Sequence, residues 1–64
     1  MDIHERIIYL HKLINSLEED VCYFDAELET EMDEADYEFV KLELAEAKRK
    51  LREANEELAK LDIL

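Results

Sequence analysis

Glycine, proline and tryptophan are absent from this 64-residue chain, and cysteine occurs once. Without glycine the backbone has no residue that enters left-handed conformations freely. Without proline it lacks the other common loop punctuation, so a turn-rich β fold is excluded. The lone Cys22 cannot close an internal disulfide, and no Cys and His cluster offers a zinc site. Serine and threonine also occur once each, as Ser16 and Thr30. No nucleophile motif and no glycine-rich phosphate cradle is present, and a chain this short has little room for the dry pocket that acid–base chemistry needs. The expectation is a protein that is not an enzyme and carries no cofactor and no metal.

Long apolar runs are missing too. None approaches the roughly 20 residues that span a bilayer. The opening "MDIHERIIYL" has acids where a signal peptide carries bases. A single thiol without an export signal suits a reducing compartment, so the expected location is cytoplasmic, with no membrane partner. Cys22 sits in acidic surroundings that keep a thiol protonated, and it reads as an inert, partly buried residue.

The last absence is one of charge. Between Lys12 and Lys41 there is no Lys or Arg, while eleven acids run from Glu18 to Glu38. The remaining eight acids balance the chain's eight bases, so the whole net charge of −11 belongs to this one segment. Phosphates would be repelled by such a chain, which argues against direct nucleic-acid binding.

What is present is helix-forming. Glu, Leu, Ala and Lys dominate, all with high helix propensity. From Ile3 the apolar residues fall at Ile7, Leu10, Ile14, Leu17, Val21, Phe24 and Leu28, alternating steps of four and three. A second series runs Tyr37, Val40, Leu44, Ala47, Leu51, Ala54, Leu58 and Leu61. Each is the seam of a packed helix. The nine residues from Leu28 to Tyr37 put the two seams half a turn out of phase on one straight helix. A reversal within "ETEMDEAD" removes that conflict by folding the stripes face to face.

The predicted architecture is therefore all-α: an antiparallel two-helix hairpin, with a helix over about 2–29, a turn over about 30–35 and a helix over about 36–62. Asp2 is the expected N-cap of the first helix, and Thr30, Asp33 and Asp36 are candidates for the second. The alternative is one long continuous helix, because Leu28, Met32, Ala35, Phe39 and Leu42 also follow coiled-coil spacing across a single stutter. With a turn near residue 33, the basic stretch "KRKLR" (48–52) is expected beside Glu18, Glu19 and Asp20.

One copy has apolar residues to spare. Ile8, Tyr9, Leu13 and Leu42 lie outside the seams and are the candidates for self-association into a homodimeric four-helix bundle. Two metal patterns fail on inspection. Counted from Asp25, acids occupy EF-hand positions, but the obligatory glycine at position six is Thr30. His4 and His11 are seven apart and lack a third ligand.

The segment "FDAELETEMDEADYEF" (24–39) is the strongest functional signal. Asp25, Glu27, Glu29, Glu31, Asp33, Glu34, Asp36 and Glu38 supply a dense negative field, and Tyr23 and Phe39 lie outside the seam as anchors. Aromatics among carboxylates suit a partner protein with a basic, partly apolar surface, such as one built to hold nucleic acid. The expected function is a stoichiometric inhibitor or adaptor that binds that surface. The alternative is a structural coiled coil whose main partner is itself.

Overall fold

A computed structural model describes residues 2–62 of the chain. It contains two helices, α1 (Ile3–Leu28) and α2 (Glu34–Asp62), folded into an antiparallel hairpin. A single continuous helix is thereby ruled out. The particle measures 47 × 17 × 14 Å, with a radius of gyration of 14.7 Å. A compact chain of this length would have a radius near 11 Å. Two helices side by side make a rod, not a globule.

Each helix starts where a side chain can satisfy its first free amides. Asp2, in an extended conformation, accepts a 2.8 Å hydrogen bond from the Glu5 amide and caps α1. Of the three candidates for α2, the cap is Asp33, whose carboxylate accepts from the Asp36 amide at 2.9 Å. Thr30 instead serves the end of α1, its hydroxyl donating to the Glu27 carbonyl at 2.7 Å. The amides of Glu29 and Thr30 reach back three residues, to Ala26 and Glu27, and tighten the last turn. The reversal then occupies only Glu29–Asp33, and α2 begins two residues before the expected 36. Among the described residues none has a positive φ, so the turn closes without the conformation that glycine would supply.

The seams pack as their spacing requires. Leu10, Ile14 and Leu17 of α1 are buried together with Leu44, Ala47 and Ala54 of α2, and Leu13, Leu51, Leu58 and Leu61 pack around the Leu10, Ile14 and Ala54 cluster. Leu10 is the most enclosed, at 1% exposure. The outermost seam residues, Ile3 and Tyr37, remain exposed. No fully buried residue lies between Val21 and Glu43, so the half nearest the turn is the more thinly packed.

The basic stretch reaches the expected neighbourhood only through Lys50, which shares a groove with Asp20, and its ion pairs all stay within α2. Arg49 bonds Glu53 at 3.1 Å and stands 3.6 Å from Glu46, Lys50 lies 3.5 Å from Glu46, and Arg52 is 4.0 Å from Glu56. Glu18, Glu19 and Asp20 make no ion pair among the described residues. Acids three or four positions away on the same helix are always within reach and require no alignment of the two helices. Cys22, too, is exposed and not partly buried.

One ion pair does cross the hairpin. Arg6 donates Nε and an Nη to the two oxygens of Glu57, at 2.5 and 2.8 Å. The hydrogen bond from Arg6 holds the Glu57 carboxyl below its ordinary range, and the same bond holds the guanidinium above its own. A depressed carboxyl contributes stability at neutral pH and loses it as pH falls through its folded-state value. Glu57→Gln should therefore flatten the acid limb of the stability profile. Urea unfolding at about pH 7 and about pH 3 checks this. An equally steep acid limb in both proteins would show that the pair contributes nothing.

Candidate functional site

The reversal places the acidic segment at one end of the rod. Glu29, Glu31 and Asp33 form the turn itself, Asp25 and Glu27 lie in the last turn of α1, and Glu34, Asp36 and Glu38 in the first turns of α2. All are exposed except Glu27, which is half-buried. The two helix ends treat this charge differently. Glu34 and Asp36 sit at the positive end of the α2 dipole, where carboxylates are favourable. Asp25 and Glu27 sit at the negative end of α1, which has no basic residue in its last turn. The tip is therefore electrostatically unfavourable on the α1 side and partly offset on the α2 side.

The two candidate anchors are both free of the core, at 61% exposure for Tyr23 and 61% for Phe39. Register places them on one flank. Tyr23 belongs to the stripe Arg6, Tyr9, Leu13, Ser16, Asp20, Tyr23, spaced by threes and fours. Phe39 belongs to the stripe Phe39, Glu43, Glu46, Lys50, Glu53, Glu57 on α2. Arg6 and Glu57, one from each stripe, bond to each other, so both stripes share one flank of the hairpin. Two shallow grooves of about 320 and 170 Å³ follow that flank, floored by Leu10 and Ala54 and by Leu17, Phe24 and Ala47. In the register set by Arg6 and Glu57, Tyr23 and Phe39 stand at the same height, on either side of the tip-ward end.

Local contacts fix the anchors further. The Tyr23 ring meets Phe24 edge-on, with centroids 5.5 Å apart and planes at 71°. Attraction of its phenol proton to the nearby Glu27 carboxylate raises the phenol above the ordinary tyrosine range, since a phenolate there would face a like charge. Lys41 lies 5.6 Å over the Tyr37 ring and marks the limit of the acidic region.

Of the four residues expected to self-associate, only Tyr9 and Leu13 are brought together. Tyr9 and Leu13 line the larger flank groove, and Leu13 packs against the core. Ile8 falls on the opposite flank and Leu42 on the outer face of α2, both largely exposed. The twelve residues from Asp25 that mimic a calcium loop are helical at both ends, leaving only 29–33 as loop. Among the described residues, no three His, Cys, Asp or Glu side chains converge as metal ligands, and no helix is long and apolar enough to cross a membrane.

The signal that sequence reasoning missed is on α2, where Asn55 and Ala59 lie between longer side chains. A shallow apolar dish of about 500 Å³ opens there, lined by Lys48, Leu51, Arg52, Asn55, Glu56 and Ala59. Two small residues four apart on one helix face were the available clue. Comparison with protein-family models, with curated proteins and with solved structures gives no match for this chain.

Proposed function

We propose that this hairpin is a stoichiometric protein-binding module, an inhibitor or adaptor whose acidic tip occupies a basic surface on another protein. The observation that carries the reading is the coincidence at the tip. The segment holding the whole net charge is also where Tyr23 and Phe39 stand exposed on one flank at one height. Long-range attraction raises the encounter rate, and desolvated rings supply the short-range affinity that screened carboxylates do not. A surface that holds nucleic-acid phosphates offers both basic side chains and apolar ledges, and the tip would block it by taking the phosphates' place.

The test is capture of binding proteins on the immobilised chain, set beside the variant Asp25→Lys/Glu29→Lys/Glu31→Lys. These three positions avoid Asp33, whose carboxylate caps α2 and whose reversal would disturb the helix. They also place positive charge at the carbonyl end of α1, where it is favourable. The expected result is capture that the variant loses, that falls as salt rises past about 0.15 M, and that double-stranded DNA competes away. Capture indifferent to charge reversal and to salt would refute the reading.

A further inference from the structure

We propose that the groove along the Arg6 and Glu57 flank is the seat of a basic amphipathic helix supplied by the partner protein. The inference rests on the reading of the tip as a protein-binding surface, and it extends that contact along one side of the rod. Two packed helices leave a trough on each side, and a third helix laid in it completes a bundle. On this flank the trough has an apolar floor. Leu13 and Phe24 are only half-buried there, and Ala47 and Ala54 keep the floor low enough for a third backbone to approach. Tyr9, at 45% exposure, stands at one end and Phe39 at the other. From Glu57 to Phe39 is eighteen residues of α2, or about 27 Å, which a helix of about 18 residues matches.

Charge selects the occupant. The two grooves on this flank are lined by five acids and two bases, a net −3, whereas the dish on α2 carries one acid and two bases, a net +1. Three of the five acids are engaged: Glu57 by Arg6, Glu53 by Arg49, and Glu46 by Arg49 and Lys50. The other two, Asp20 and Glu43, have no ion-pair partner among the described residues. They stand on opposite helices and line the same groove, and Glu43 is half-buried. A helix with Lys or Arg on both borders of an apolar stripe meets both carboxylates at once, its basic side chains laying their carbon stems along the rims. A second copy of this chain is a poor occupant, because it brings a net −11 to a flank that is already negative.

The probe is a fluorescein-labelled synthetic peptide of about 18 residues, with leucine at alternating steps of three and four and arginine on both borders of that stripe. Its control is an isomer of the same composition whose leucines are spread around the helix. Binding to the full chain is read by fluorescence anisotropy at about 0.15 M salt. The amphipathic peptide should bind at least about tenfold tighter than the isomer, since only it presents apolar surface to the floor.

Asp20→Lys/Glu43→Lys should weaken that binding at least about tenfold. Glu18→Lys/Glu19→Lys makes the same change in net charge on other sides of α1, and should weaken it by no more than about threefold. Tyr9 lies nineteen residues, or about 28 Å, before the end of α1, far from the tip. Tyr9→Ala should weaken binding at least about fivefold, and Ile8→Ala, on the opposite flank, should leave it unchanged. The substituted α1 positions are exposed, so the helical circular-dichroism signal should survive there. Should Glu43→Lys reduce it, Asp20→Lys alone and Tyr9→Ala carry the comparison. No preference between the two peptides overturns the proposal. So does equal loss from the Asp20/Glu43 and Glu18/Glu19 reversals. Binding abolished by Asp25→Lys/Glu29→Lys/Glu31→Lys yet indifferent to Tyr9→Ala would remove the groove and leave the tip reading standing.

Discussion

Leu10→Ala should cost about 2–5 kcal/mol of folding free energy, the range for removing a large aliphatic side chain from a core that relaxes only in part. A chain of this length has a total stability of only about 3–10 kcal/mol. The substitution therefore leaves a large fraction unfolded, and the thermal midpoint should fall on the order of 10–30 °C. The reason is position. Leu10 is the one large side chain with almost no exposure, and it packs with Ile14 and Ala54, where the small alanine leaves nothing else to fill the space. Leu42→Ala removes the same atoms from a side chain that is 69% exposed, and should change stability by no more than about 0.5 kcal/mol at dilute concentration. Thermal or urea unfolding of the two variants checks the pair. Equal effects would mean that the two seams do not pack on each other.

Asp33→Ala should cost about 1 kcal/mol through loss of the α2 cap. The comparison that isolates the cap is Asp33→Asn. Both substitutions remove one negative charge from a crowded acidic turn and relieve the same repulsion. Only asparagine keeps an oxygen that can accept from the Asp36 amide. The alanine variant should therefore unfold at lower urea than the asparagine variant, by an amount equivalent to about 1 kcal/mol. Should the two coincide, Asp33 would act through its charge alone, and the turn would owe its position to the phase of the seams.

That phase was the most legible feature of the chain. Apolar periodicity is a property of one helix at a time, and the half-turn offset between Leu28 and Tyr37 demands a reversal whatever residues form it. The choice of cap was less legible. Thr30, Asp33 and Asp36 all have capping chemistry, and the decision depends on where α1 runs out of carbonyl partners. The ion pairs were misjudged for a related reason. A turn centred two residues earlier shifts the facing positions by up to one helical turn, which sets Lys50 between Leu13 and Asp20 and leaves Arg49 and Arg52 to the acids of their own helix. The acidic tip was readable from sequence because charge needs only proximity to the turn. The dish on α2 was far less so, since a depression arises from what small residues fail to fill, and the spacing of Asn55 and Ala59 was its only mark.

The gradient of packing along the rod has a consequence for the order of events in folding. A hairpin whose best contacts adjoin its turn can zip from the turn outward, each step rewarded as it is made. Here the residues nearest the turn are half-exposed and carry like charge. The enclosed pairs, Leu17 with Ala47 and Leu10 with Ala54, close loops of thirty residues and more. The chain must spend the entropy of that closure before burial returns it. Folding is thus expected to begin with a collision of the two helices near their distant halves, and the acidic turn falls into place last. Dissolved salt, by screening the turn, lowers the cost of that final step.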